Sequence, residues 1–295
     1  MKPLIDEVDS LVGRQPVNRR GFVRGGLATG FAAAVAPTGA LLAQTIMTDT
    51  TGLMAGEVRI PAGGVEIPAY RAMPFGRSGL PTVIVVHEIF SVHEYIRDVC
   101  RRLAKQGYLA IAPDFFARQG DVTRFASIPE IFANVVSKVP DAQVMSDIDA
   151  TAAWATSNGG ARGKLGVTGF CWGGRIVWLY SAHQRNLQAG VAWYGRLMGQ
   201  VTPLTPLHPV DVAEKLHAPV LGLYGGKDDG IPLTTVDEKK TRLSFGTPAS
   251  QASEFVIYPD APHAFHADYR PSFRREAAED AFPRALAWFR RHGVA

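Results

Sequence analysis

A chain of 295 residues, 46% hydrophobic and 20% charged, is long enough and apolar enough for one large core or two ordinary ones. Its net charge of +4 is small, and its basic residues do not cluster with aromatics into a stripe, which excludes a nucleic-acid-binding surface of that kind. Two cysteines, Cys100 and Cys171, are too few for a disulfide framework or a cysteine-rich zinc site.

Residues 1–43 read as an export segment. Asn18-Arg19-Arg20-Gly21-Phe22-Val23-Arg24 places paired arginines ahead of a weakly apolar stretch, Gly25 to Ala43, rich in alanine and glycine. This layout resembles a twin-arginine signal, read by the twin-arginine export machinery, and implies a periplasmic or secreted protein. Pro37 and Gly39 interrupt the apolar run, so no lasting membrane helix is expected. Cleavage is expected after Ala43. Five positive and three negative residues then leave, taking the charge from +4 to about +2. A reactive thiol in that compartment must survive oxidation.

Residues 44–55 read as a linker, and 56–295 as one domain. Glu57 to Ile60 and Val65 to Ala72 alternate around Gly63-Gly64, which predicts a β-hairpin at a sheet edge. Thr82 to His87 is a β-branched run suited to a strand buried on both faces. Tyr95 to Gln106 has helical periodicity and stops at Gly107. Tyr108 to Ala112 is a second buried strand. Ser127 to Lys138 and Asp141 to Ser157 read as helices parted by Pro140. Lys164 to Thr168 is a strand, and Arg175 to His183 a helix. Strands follow at Ala189 to Tyr194, Pro219 to Tyr224 and Glu254 to Tyr258, with a long loop over Arg196 to Pro209. Leu233 to Leu243 and Phe273 to His292 read as helices, the latter containing Pro283. Strands alternating with helices predict an α/β fold: a mostly parallel sheet with helices on both faces.

In such sheets ligands sit outside the carboxyl ends of the strands. One strand end carries Gly169-Phe170-Cys171-Trp172-Gly173-Gly174, in which Cys171 takes the apex of a Gly-x-Cys-x-Gly turn. Side chains at Gly169 or Gly173 would collide with the neighbouring strand and helix. With serine for cysteine this is the nucleophile elbow of an α/β-hydrolase. Asp228 and Asp229 follow another strand, and His263 and His266 a third. The order of nucleophile, acid and histidine is that of the α/β-hydrolases. The residue types suit the chemistry. An imidazole takes the thiol proton, and a carboxylate fixes the tautomer and stabilises the cation. Asp228, spaced from Gly225-Gly226, is favoured over Asp229, and His263 over His266. Cys100 falls in a helix and reads as a small buried hydrophobe.

Other chemistries lack their patterns. His87 and His93 are six residues apart, not the four that a zinc-binding HExxH helix needs. Neither a P-loop nor a Gly-x-Gly-x-x-Gly follows a strand, so no cofactor or metal is expected. Two alternatives compete with an esterase or lactonase: a thiol redox protein pairing Cys171 with Cys100, and a non-catalytic binding module.

His87-Glu88-Ile89-Phe90, Pro113-Asp114-Phe115-Phe116-Ala117-Arg118-Gln119, the Cys171 elbow, Trp193-Tyr194-Gly195, Gly226-Lys227-Asp228 and His263-Ala264-Phe265 together resemble the dienelactone hydrolase family, the carboxymethylenebutenolidase-like α/β-hydrolases. The resemblance implies an α/β-hydrolase fold and hydrolysis of a small ester or lactone, with Cys171, Asp228 and His263 as the triad. It gives Glu88 a part in activating the thiol and the Ile89 and Trp172 amides the oxyanion hole. Arg118 takes the place of an arginine that holds a substrate carboxylate, and Tyr194 falls in a matching segment at the substrate site. The family's second carboxylate-binding arginine, four residues past the histidine, is Ala267 here. Arg270 is the residue that could substitute for it.

Overall fold

The structure is a computed structural model and describes Val35 and residues 40–295. The expected export segment, apart from Val35 and residues 40–43, lies outside the described residues. Among the described residues no helix is long and apolar enough to cross a membrane.

A short helix α1 (Ala40–Gln44) precedes β1 (Leu53–Ala62) and β2 (Val65–Pro74). These strands pair antiparallel in full register, from Leu53 opposite Pro74 to Ala62 opposite Val65. Gly63 and Gly64 close the hairpin at φ +57° and +81°, the left-handed pair that a two-residue turn requires. Of residues 44–55, expected as a linker, 53–55 belong to β1, and 44–51 lie along the next helix and hydrogen-bond to it.

The core elements follow in alternation: β3 (Leu80–Val86), α2 (Glu94–Lys105), β4 (Leu109–Pro113), α3 (Ile128–Asn134), α4 (Asp141–Ser157), β5 (Gly160–Phe170), α5 (Trp172–His183) and β6 (Ala189–Trp193). Then come β7 (Val220–Gly225), α6 (Leu233–Ser244), α7 (Pro248–Gln251), β8 (Glu254–Tyr258) and α8 (Arg275–Arg291). All eight strands form one sheet in the order β1-β2-β4-β3-β5-β6-β7-β8. The β1–β2 and β2–β4 pairs are antiparallel, and the other five are parallel. β4, β6 and β7 are buried at every position, which only helices on both faces can achieve.

Two differences from the sequence reading have local causes. The expected helix from Ser127 to Lys138 breaks at Val135, whose φ of −124° leaves the helical region. A capping box between Ser127 and Glu130 starts it, and a single 3-10 turn (Val136–Lys138) ends it. α5 begins at Trp172, earlier than Arg175, although Gly173 and Gly174 are poor helix formers. Burial of both glycines against neighbouring backbone overrides that propensity. The last helix runs from Arg275 to Arg291 straight through Pro283.

Candidate active site

β5 ends at Phe170 and α5 begins at Trp172, which leaves Cys171 alone on the turn at φ +54°, ψ −115°. That backbone costs a side-chain-bearing residue on the order of 1–3 kcal/mol and persists only where the surroundings impose it. Here glycines impose it. A Cβ on Gly169 would lie 2.3 Å from the Gly173 carbonyl oxygen, and one on Gly173 would lie 2.3 Å from the Val86 oxygen. A Cβ on Gly195 would lie 2.2 Å from the Gly174 carbonyl carbon, so β6 and α5 also meet backbone to backbone. The Cys171 amide donates to the Trp193 carbonyl at 3.0 Å, pinning the turn to β6. α5 is further tied to the start of α4 by Arg175, whose guanidinium donates twice to the Asp141 carboxylate at 2.7 Å.

The first N–H groups of a helix have no partner within it. The Trp172 amide is one of these, and neither it nor the Ile89 amide donates to another described residue. His87 fixes the loop that carries Ile89. Its Nδ1 meets the Glu88 carbonyl at 2.6 Å, and the Phe115 amide donates to its Nε2 at 3.1 Å. Nε2 as acceptor leaves Nδ1 as the donor, the neutral tautomer. Burial pushes the His87 pKa down, which agrees with that form.

His263 and Asp228 come together from separate strand ends. His263 Nδ1 lies 2.7 Å from Asp228 Oδ2, both side chains being buried. Asp228 Oδ1 accepts from the Gly230 amide at 3.0 Å. Asp229 is exposed. His266 is elsewhere engaged: its Nδ1 meets the Tyr95 hydroxyl at 2.6 Å, and its ring stacks on Phe170 and Phe282. Burial pushes the His266 pKa well below the ordinary value.

His263 Nε2 is buried without a conventional hydrogen bond, and the Cys171 sulfur is its electrostatic neighbour. Burial alone would lower the His263 pKa. The Asp228 carboxylate and the Cys171 sulfur outweigh it and raise the group to about 10. A charged imidazolium beside the sulfur is the state these neighbours favour. The Tyr194 ring, at φ +39°, packs edge-on against His263 with centroids 5.2 Å apart.

Glu88 is 1% exposed, beside this group. The Tyr269 hydroxyl donates to its Oε2 at 2.7 Å, and His93 Nε2 stands 3.3 Å from the same oxygen. Burial would raise the carboxyl pKa. The hydrogen bond and charge of His93, the charge of Arg270 and the Tyr269 hydroxyl together hold it below the ordinary value. Burial alone would lower the Arg270 pKa, and its surroundings, the Tyr269 side chain and the Glu88 carboxylate foremost, outweigh burial and raise it. Its guanidinium carbon stands 6.0 Å from the centre of the Phe90 ring. A cavity of about 340 Å³ opens along the loop after β3, lined by Phe90, Ser91, His93, Asp114, Ala117 and Thr123 among others.

Arg118 is committed to a different partner. It donates to both oxygens of Asp147 on α4, at 2.6 and 2.9 Å, and to the Ala62 carbonyl at 2.7 Å. Asp147 is 1% exposed, so this pair ties the first hairpin to α4 across the buried interior. Arg118→Ala would strand a buried carboxylate. It is expected to lower stability by roughly 2–4 kcal/mol in urea unfolding. It is also expected to change turnover of carboxylated and neutral esters by the same factor.

Cys100 is wholly buried in α2, where desolvation pushes its thiol pKa up, and no disulfide joins it to Cys171. His93, Tyr269 and Tyr95 were not singled out for the site by sequence. A histidine five residues past Glu88 and a tyrosine beside Arg270 are the signals that mark the first two.

The family model described as the dienelactone hydrolase family matches residues 67–293. A Methylorubrum extorquens protein named "Putative carboxymethylenebutenolidase" is 56% identical over 290 residues, covering 98% of each chain. An Escherichia coli K12 protein of the same name is 51% identical over 267 residues, covering 90% of this chain and 96% of its own. Among solved structures, a Klebsiella pneumoniae "Putative Dienelactone Hydrolase" is 54% identical with a TM-score of 0.78, covering 81% of this chain and 98% of its own. A dienelactone hydrolase-like promiscuous phosphotriesterase from metagenomic libraries, 20% identical with a TM-score of 0.64, shares the fold; it covers 82% of this chain and 99% of its own.

Proposed function

The chain belongs to the dienelactone hydrolase family and is a hydrolase, and from that premise we propose that it cleaves small esters or lactones through a Cys171 acyl-enzyme. The observation that carries this reading is the buried His263–Asp228 pair beside the strained elbow cysteine.

In the proposed reaction His263 Nε2 takes the thiol proton, and Asp228 stabilises the resulting imidazolium. The Cys171 sulfur attacks the substrate carbonyl carbon. The carbonyl oxygen becomes an oxyanion, received by the Ile89 and Trp172 amides. The bond to the leaving oxygen breaks as His263 returns its proton to that oxygen. In a lactone the leaving oxygen stays attached to the acyl group. Water, deprotonated by His263, then attacks the thioester. The sulfur departs as thiolate and a carboxylate product is released.

Glu88 stays ionised between His93, Tyr269 and Arg270, and sets the charge of the pocket beside the nucleophile. Arg270 is the residue proposed to hold a substrate carboxylate, in place of the arginine that Ala267 lacks. Arg118 is withdrawn from that role by its bidentate bond to Asp147. A screen of the purified protein against paired lactones and esters, with and without a carboxylate, tests this reading. Preference for carboxylated members supports it, and failure to turn over any member contradicts it.

Export is proposed from the arginine pair and the apolar stretch that follows. Replacing Arg19 and Arg20 by lysine is expected to retain the protein in the cytoplasmic fraction on immunoblots. Unchanged periplasmic recovery would contradict the assignment.

A further inference from the structure

The segment between the expected signal and the first strand is bonded to the loop that carries Arg270. Gln44 Nε2 donates to the carbonyls of both Asp268 and Arg270, each at 3.0 Å. Further along, the Thr48 amide donates to Asp98 Oδ1 at 2.6 Å, and Arg101 Nε returns a bond to the Thr48 carbonyl at 2.8 Å. Lys105 Nζ donates to Asp49 Oδ1 and to the Thr51 carbonyl, at 2.9 and 2.8 Å. The same Asp98 accepts from Arg102 at 2.5 Å, and Arg102 also donates to Asp268 at 2.5 Å. Residues 44–51 are thus joined to α2, and α2 to the 268–270 loop, by charge-assisted bonds that are partly buried at Thr48, Asp98 and Asp268 and exposed at Asp49.

That loop does three things within eight residues. It begins at His263, its Tyr269 bonds Glu88, and it ends at Arg270. It is a chain of turns, with Ala264 at φ +58° and turn bonds from Ala267 to Ala264 and from Arg270 to Ala267. Such a loop has no ladder to hold it, and its geometry is set by what grips its carbonyls. Gln44 grips the carbonyl of Arg270 itself, which the Phe273 amide also holds at 3.1 Å.

We infer that residues 44–51 form a strap that sets the position of Arg270, with Gln44 as its positioning residue. The strap contributes to substrate selection while touching neither substrate nor nucleophile. The inference rests on the reading that Arg270 receives a substrate carboxylate. The expected cleavage after Ala43 would leave the strap whole.

The test compares Gln44→Ala and Gln44→Glu with the unaltered protein, on one activated ester bearing a carboxylate and its neutral counterpart. Gln44→Glu keeps the side-chain length but replaces the donor by oxygens that face two carbonyls. Both variants are expected to raise KM for the carboxylated ester about five- to tenfold, as loss of two hydrogen bonds would. The kcat for that ester and both constants for the neutral ester are expected to stay within about twofold. Amide hydrogen exchange over residues 264–272 is expected to quicken in both. Unchanged KM, or equal losses on both esters, overturns the strap's role in selection. If Arg270→Gln lowers kcat/KM for the two esters by the same factor, the carboxylate reading itself falls. Exchange then decides the strap alone: faster exchange supports its hold on the loop, and unchanged exchange overturns it.

Discussion

Cys171→Ala is expected to lower kcat/KM on an activated ester by at least about 10⁴-fold, the order seen when the nucleophile of a triad is removed. Folding should survive, because the smaller side chain keeps the elbow backbone and its bond to Trp193. The size of the expected loss follows from where the sulfur sits. It is held on a turn at φ +54°, beside an imidazole whose own partner is a buried carboxylate. Nothing about a buried structural thiol needs that arrangement. Cys100 makes the contrast: it is equally buried, but in the interior of a helix, and its burial favours the neutral thiol. Cys100→Ala is therefore the matched control. Activity in Cys171→Ala above about one-hundredth of the original would contradict nucleophilic catalysis at this residue.

Arg270→Gln is expected to lower kcat/KM for a carboxylated ester by roughly 30- to 300-fold relative to its neutral counterpart, the loss of about 2–3.5 kcal/mol of charge-assisted bonding. The relative measure matters because Arg270 also faces Glu88 and Cys171. Its removal perturbs the charge of the pocket for every substrate, and the ratio of the two esters cancels that shared loss. The Arg118→Ala control should show no such discrimination, since its guanidinium is occupied by Asp147 and the Ala62 carbonyl. The reverse pattern, a selective loss on the carboxylated ester in Arg118→Ala and an equal loss on both esters in Arg270→Gln, would return the carboxylate to the place the family resemblance first gave it.

Much of the fold could be read from the chain because buried parallel strands announce themselves. Thr82 to Val86 and Ala189 to Trp193 are short apolar, β-rich runs, and the structure buries nearly all of both. The elbow was legible for a sharper reason. Gly169 and Gly173 flank Cys171 at positions where a Cβ would reach 2.3 Å from backbone oxygen, so their spacing encodes a close approach. The choice between His263 and His266 can be posed from the sequence. It turns on a long-range contact: one ring faces Asp228, and the other is enclosed by Tyr95, Phe170 and Phe282.

What escaped the sequence is pairing between distant charges. Arg118 matches a substrate-binding position by motif, yet Asp147, 29 residues away on α4, takes its guanidinium. No local pattern reveals such a partner. Residues 44–51 fall within the stretch, 44–55, that reads as a linker. Their role comes from individual polar groups meeting α2 and the Arg270 loop, which composition does not record.

The most direct test of the proposed mechanism is mass spectrometry of the protein quenched in acid within milliseconds of mixing with an activated ester. The expected result is an acyl adduct on the peptide containing Cys171, formed at the rate of the initial burst and lost as product accumulates. Turnover at full rate with the adduct on another residue, or with Cys171 already blocked by an alkylating agent, would contradict it.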